Sequence, residues 1–430
     1  MKILIRGGRV IDPAQNLDDV CDLLVAEGRV AALEKGIKPD EGTKVLEAEG
    51  CIVAPGFIDM HVHLREPGYE QKETIATGTR AAAAGGFTAV ACMPNTNPVA
   101  DSGAVIAYIK EKARTEGAVR VYPIGALTKG SQGEELAEIR DLVEAGAVAL
   151  SDDGRPVMNA EVMRRALEYS RLFDLPVISH CEDLNLVAGG VMHEGYMSTV
   201  LGLRGIPTAA EEVMVARDLI LAELTGGRLH LAHLSTAGAV RLVKWAKERG
   251  VRVTAEVTPH HLCLTDAAVQ DYNTHTKVNP PLRDEGHRSA LAEALAAGTI
   301  DALATDHAPH AEEEKDVEYD LAPFGMVGLE TAVPLVVTRL VKSGRLSWRR
   351  LVEAFSLVPA QILKVPGGTL AVGSVADITV IDPAKEREVD VKRFYSRGKN
   401  SPFQGWKLEG WPVATIVGGR LVMEGGEVLI

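Results

Sequence analysis

Short apolar runs of period two, broken by glycine, occupy both ends of the chain, while the middle alternates such runs with longer stretches of helical period. Residues 1–54 read as ILIRGGRVID, DLLVAEGRVAAL and KVLEAEGCIVAP, each with a Gly-containing break suited to a hairpin. The tail from 366 repeats the pattern in GGTLAVGSVADITVID and WPVATIVGGRLVMEGGEVLI. Two strand-rich ends are most simply joined as one small composite β-sandwich domain, 1–54 with 366–430. The similar segments IRGGRV and IVGGRLV, read as one hairpin at each end, favour pairing them.

The middle, 55–365, starts with the strand GFIDMHVHLR, followed by the helical pattern KETIATGTRAAAAGG. Seven more apolar runs follow, FTAVACMPN, VRVYPIGALT, AVALSDDG, LPVISHCED, RLHLAHLS, VRVTAEVTPHHL and IDALATDHAPH, with helical segments between them. Eight strands alternating with helices predict an α/β fold, a parallel (β/α)8 TIM barrel. An open doubly wound sheet would carry a Gly-rich phosphate turn after its first strand, and none is present there.

Composition narrows the function classes. With 46 Lys and Arg against 59 Asp and Glu, the net charge is −13, which argues against a general nucleic-acid or anionic-membrane binder. It does not exclude a small anionic substrate, because a local cluster of arginines and metal ions overrides the global sign. MKILIRGGRVIDP is too short and too interrupted for a signal peptide, and no apolar run is long enough to span a bilayer. Five scattered cysteines without a CxxC point to reduced thiols and a cytoplasmic location rather than a disulfide or thiolate-metal framework.

Nearly every predicted barrel strand ends in a polar or ionisable residue: His61, His63 and Arg65, then Asn95, Thr128, Asp152 and Asp153, His180, His233, Thr258 and Asp306. A barrel gathers its active site at the C-terminal ends of its strands, so residues spread over some 250 positions meet at one mouth. Alternation assigns faces. Phe57, Asp59, His61, His63 and Arg65 share one. Ala302, Ala304 and Asp306 share a face that leaves His307 outside, and Ala89, Ala91, Met93 and Asn95 align, as do Ile178 and His180. Leu229, Leu231 and His233 align, leaving His230 opposite. Alternation does not separate Asp152 from Asp153. Four histidines and two aspartates form a nitrogen and oxygen donor set suited to Zn²⁺, and six ligands suit two metals about 3.5–4 Å apart better than one. Such a site is built for hydrolysis.

GFIDMHVHLREPG, ACMPNTNPV, SDDG, SHCED, LAHLSTAG, KVNPPLRD, ATDHAPH and PFGMVGLET together resemble the amidohydrolase superfamily and, within it, the class I dihydroorotases. The similarity runs over essentially the whole chain. It implies His61, His63 and Asp306 on a first Zn²⁺, His180 and His233 on a second, and Asp153 bridging them, which leaves Asp152 a supporting carboxylate. Many superfamily members bridge their metals with a carboxylated lysine on the fourth strand; AVALSDDG has no lysine, which counts against a hydantoinase or allantoinase. The implied reaction is reversible hydrolysis of dihydroorotate to N-carbamoyl-L-aspartate, the third step of pyrimidine synthesis, by a metal-bridging hydroxide with Asp306 as general base and acid. Arg65 and Asn95 would hold the substrate carboxylate. By the same resemblance Asn279 and His310 contact substrate, and the backbone at Phe324 and Gly325 covers the ring. Relatives of this type form homodimers or associate with aspartate carbamoyltransferase.

The loop HAPHAEEEKDVEYDLAPFG after the eighth strand has the length of a lid, its acidic run being solvated. His193, His230, His260, His261, His275, His287 and His307 read as structural or surface residues, with His260 and His261 nearest to a supporting role. The competing readings are a sister cyclic amidase and a catalytically silent barrel that supports a partner enzyme.

Overall fold

The computed structural model describes residues 2–430. Its centre is a ring of eight parallel strands: Phe57–Val62, Phe87–Cys92, Arg120–Pro123 resuming as Gly125–Ala126, Leu150–Ser151, Pro176–Ser179, Arg228–Leu231, Val253–Val257 and Ala302–Leu303. Neighbours pair in parallel around the ring. The ring closes where His63 N–H donates to His307 O at 2.9 Å and Val62 bridges His307. The third strand breaks at Ile124, whose N–H goes to Cys92 while that of Gly125 goes to Ala149, so the chain changes partner within one run.

Alanines interleaved with a few larger apolar side chains make the interior. Ile58, Met60, Ala89, Ala91, Met93, Ala149, Ile178, Ala232, Ala302 and Ala304 fill it, with Ile362 and Leu363 also packed into this cluster. Val90, Cys92, Val177, Leu229, Leu231 and Leu303 point outward into a larger layer beneath the helices, such as Ile75–Ala84 and Ala209–Thr225.

Two strands depart from simple alternation. The first has register irregularities after Phe57 and after Asp59. Phe57 therefore faces outward, stacked on Phe355 at 5.3 Å, and does not share the face of His61. In the sixth strand Leu229 and Leu231 face outward and His230 inward, the reverse of the expectation. His233 still reaches the mouth because the strand ends at Leu231 and His233 has a left-handed φ of 30°.

The two termini build one nine-stranded sheet. Its order is Glu427–Val428, Arg420–Glu424, Lys407–Val417, Ile378–Glu388, Ile52–Pro55, Ile3–Asp12, Leu17–Ala26 and Arg29–Glu34, with Lys44–Glu47 also on Ile3–Asp12. The sheet folds over on itself. Gly28, in the turn before Arg29–Glu34, accepts from Ala376 N–H, and Ala376 O accepts from Gly419 in the turn before Arg420–Glu424. Ile3, Val10, Leu23, Val25, Ile378, Val380, Ala414 and Ile416 form the core between the layers, which gives the expected sandwich. IRGGRV is not a hairpin: it lies within Ile3–Asp12, where Gly7 at φ 72° forms an irregularity. Nor is KVLEAEGCIVAP, whose halves both run parallel to Ile3–Asp12.

Candidate metal centre

Asp153 sits at the centre of the barrel mouth. Its Oδ2 lies 3.3 Å from His61 Nε2 and 3.5 Å from His63 Nε2, and its Oδ1 lies 3.4 Å from both His180 Nδ1 and His233 Nε2. Asp306 Oδ1 is 3.0 Å from His63 Nε2 and 3.5 Å from His61 Nε2. One carboxylate thus faces two pairs of imidazoles, one pair per oxygen. All six side chains are buried. Burial alone would raise the Asp153 carboxyl, but His61, His180 and His233 hold it well below the usual carboxylate range.

Asp152 points elsewhere. It accepts from Leu127 N–H at 2.9 Å, Thr128 N–H at 3.0 Å and the Thr128 hydroxyl, which fastens the end of the third strand.

The donors are oriented from behind. His61 Nδ1 lies 2.6 Å from Glu256 Oε1, His63 Nδ1 lies 2.9 Å from Asn95 Oδ1, and His180 Nε2 lies 3.2 Å from Glu182 Oε2. Each acceptor receives a hydrogen bond from one ring nitrogen and leaves the other nitrogen turned inward. His61 Nε2 and Asp153 Oδ1 are buried with no hydrogen-bond partner. Buried polar atoms of this kind need an explanation, and a cation between them supplies one. His61, His63 and Asp306, and separately His61, Asp153 and His233, each bring donor atoms within 4.8 Å of one another. Histidine and carboxylate donors without sulfur fit Zn²⁺ or a similar ion. Three groups at this mouth also have left-handed backbones, Arg65 (φ 63°), His233 (φ 30°) and Asp306 (φ 48°). Such conformations concentrate at functional sites.

A cavity of about 430 Å³ opens above the donors, and its walls include Arg65, Asn95, Asn279, His310, Phe324 and Gly325. Arg65 is half-buried, its Nε donating to Pro309 O at 3.3 Å, and among the described residues it has no ion pair within 4.0 Å. The Asn279 amide donates to Glu182 Oε1 at 3.0 Å. His310 Nε2 lies 2.9 Å from Phe324 O, and burial together with the Arg65 charge pushes its imidazole down to about 3. Gly325 has φ 134°, and a Cβ there would come within 2.8 Å of Ala308 Cβ.

The loop after the eighth strand is held at several points. Lys315 Nζ donates to Thr274 O at 3.1 Å and Pro323 O at 2.6 Å, and Gly325 N–H donates to Lys277 O at 2.8 Å. Asn400, from the C-terminal segment, donates to Ala308 O and Gly325 O at 3.0 Å each and accepts from His310 N–H at 3.0 Å. Glu312 and Glu313 are exposed, as the acidic run suggests, whereas Lys315 beside them is buried.

Sequence reasoning missed Glu256, Glu182 and Asn400. A glutamate inside the apolar run VRVTAEVT was the one available signal for the first; Glu182 lay unremarked in SHCED, and nothing local marks Asn400. His230 is a buried inward residue, 3.1 Å from Glu256 Oε2. His307 faces away from the mouth toward Glu73 and Ser396. His260 is buried with Nε2 unpartnered, and burial lowers it to about 4. His261 is spanned between Thr258 Oγ1 and Pro280 O. A third cluster, His193, Asp284 and His287, suits a metal poorly. His193 Nδ1 faces the Arg283 guanidinium at 3.2 Å and His287 Nδ1 accepts from Ala237 N–H, which leaves the proton of each neutral ring on Nε2.

Barrel, folded-over terminal sheet and donor set together define an amidohydrolase of the TIM-barrel type. The L-hydantoinase (dihydropyrimidinase) from Arthrobacter aurescens superposes with a TM-score of 0.91 at 29% identity, covering 100% of this chain and 97% of that one. A dihydro-orotase-like family model matches residues 50–239. Dihydroorotase from Pelotomaculum thermopropionicum is 63% identical over 99% of this chain and 99% of its own, and dihydroorotase from Geobacter sp. (strain M21) is 56% identical over 99% and 100%. The chain belongs to the dihydroorotase family. No helix among the described residues is long and apolar enough to cross a membrane.

Proposed function

We propose that the chain hydrolyses the cyclic amide of (S)-dihydroorotate reversibly to N-carbamoyl-L-aspartate, the third step of de novo pyrimidine biosynthesis. Full-length likeness to dihydroorotases at up to 63% identity carries the reading. Dihydroorotate hydrolysis by metal-analysed protein tests it, with dihydrouracil, the same ring without the carboxylate, as the comparison. Faster turnover of dihydrouracil would favour a hydantoinase-like activity, the reading that the Arthrobacter structure supports.

His61, His63 and Asp306 would hold one Zn²⁺ and His180 and His233 a second, with Asp153 between them. Bound there, the ions supply Lewis-acid chemistry, polarising an amide carbonyl and acidifying water. Asp306 takes a proton from the attacking water and delivers it to the ring nitrogen as the C–N bond breaks. Its place beside His63 at 3.0 Å supports that role. The Arg65 fork pairs with the ring carboxylate, which has no competing protein carboxylate within 4.0 Å among the described residues, and Asn95 adds a neutral amide beside it. Asn279 lines the far wall. His310, whose Nε2 lies 2.9 Å from Phe324 O, serves as a hydrogen-bonding group at the cavity wall. Phe324 and Gly325 present backbone over the ring.

The same reading takes 1–54 and 366–430 as one domain and 55–365 as the catalytic one. It also takes the protein as a cytoplasmic homodimer able to associate with aspartate carbamoyltransferase. Family resemblance alone supports the dimer and the partner, and light scattering with and without the transcarbamoylase tests both.

A further inference from the structure

Glu256, on the seventh strand, touches both halves of the donor cluster. Its Oε1 lies 2.6 Å from His61 Nδ1 and accepts from the backbone N–H of His233 at 3.3 Å; its Oε2 lies 3.1 Å from His230 Nε2. Glu256, His61 and His230 are fully buried. A carboxylate has no proton to give, so each ring nitrogen facing it is the protonated one. His61 is thereby committed to Nδ1–H, and its Nε2, buried and turned toward the Asp153 and Asp306 carboxylates, is the nitrogen left for a cation held between them. His230 carries its proton on Nε2, and its Nδ1 accepts from the Thr254 hydroxyl at 2.8 Å. One proton per ring satisfies the whole row from Thr254 through His230 and Glu256 to His61.

A glutamate within the apolar run VTAEV is costly to bury unless its contacts answer the cost. They fall on one proposed ligand from each side of Asp153: a side chain at His61, the main chain at His233. We propose that Glu256 is a positioning residue for the reaction, setting the tautomer of His61 and the backbone of His233 with one carboxylate, and that His230 holds Glu256 in that place. The inference rests on the metal-binding reading of the site. A carboxylate that only satisfied His230 would support the barrel without affecting ligand affinity.

The test is zinc affinity of metal-free protein, measured by competition with a chromophoric chelator, which needs no turnover. E256A should bind zinc about 10–100-fold more weakly than wild type, the usual cost of losing a group that orients a ligand. H230Q should lose affinity in the same direction by a smaller factor. Nitrogen-15 spectra of histidine-labelled, zinc-loaded wild type should show His61 protonated at Nδ1 and bound through Nε2. A folded E256A protein that binds zinc within twofold of wild type overturns the proposal. If E256A does not fold, the wild-type tautomer decides, and His61 bound to zinc through Nδ1 overturns it equally. Should wild type and H61A bind zinc alike, the reading of the site falls and this inference with it.

Discussion

Replacing Arg65 by alanine tests the substrate assignment most directly. The guanidinium is half-buried at the cavity wall, and among the described residues its one hydrogen bond to the protein runs from Nε to Pro309 O. No protein carboxylate within 4.0 Å competes for its Nη groups among the described residues. Removing one partner of a desolvated, hydrogen-bonded charge pair costs about 2–5 kcal/mol. At about 1.4 kcal/mol per factor of ten, kcat/KM for dihydroorotate should fall between about 30-fold and a few thousandfold. R65K keeps the charge but loses the planar fork and should fall between R65A and wild type. Dihydrouracil lacks the carboxylate, so its turnover should change by no more than about threefold in R65A, taking a small loss of packing at 1.4 kcal/mol per decade as the allowance. Zinc content should be unchanged, because Arg65 is outside the donor set. Steady-state hydrolysis of both substrates by metal-analysed protein measures all of this. The reasoning is refuted if R65A retains wild-type efficiency on dihydroorotate, or if it loses both substrates equally.

The paired aspartates should separate cleanly: D153N loses zinc and turnover in metal analysis and assay. D152N keeps zinc but melts earlier, because it weakens hydrogen bonds to a charged acceptor worth about 1.5–3 kcal/mol each. Chelation should abolish dihydroorotate hydrolysis and added Zn²⁺ restore it; activity that survives verified removal of metal contradicts the site. Burial brings Lys315 down to about 7, against about 10.4 in an unfolded chain. Between those values the unfolded state binds more protons, so the Lys315 contribution to stability rises as pH increases through that window and is least below about 7. Denaturation midpoints from pH 7 to 10 should therefore rise more steeply in wild type than in K315M, and parallel profiles would refute the assignment.

Alternation placed the second, fifth and eighth strands well, because Ala89, Ala91, Met93, Ile178, Ala302 and Ala304 all face inward without interruption. It failed where the backbone breaks step. Irregularities in Phe57–Val62 turn Phe57 outward, and the sixth strand carries His230 inside, with the left-handed turn at His233 restoring that histidine to the mouth. Asp152 and Asp153 were inseparable because Leu150–Ser151 is too short to define a face. Their hydrogen bonds separate them at once. Glu256 was visible as a charge in an apolar run, but its partners are 195 and 26 residues away. Asn400 lies 90 residues from His310 in an unremarkable polar segment. Only the closed fold brings such pairs together.

The strand Ile52–Pro55 runs through Gly56 into Phe57–Val62, so one stretch of chain belongs first to the terminal sheet and then to the barrel. It pairs with Ile3–Asp12 on one side and with Ile378–Ile381 on the other, and Phe57 N–H donates to the Thr379 hydroxyl. Asn400 then fastens both ends of the loop over the cavity. A growing polypeptide emerging from the ribosome would present every proposed ligand long before residues 378–400 exist. The strand bearing His61 and the loop over the cavity are thus both braced by segments from the last part of the chain.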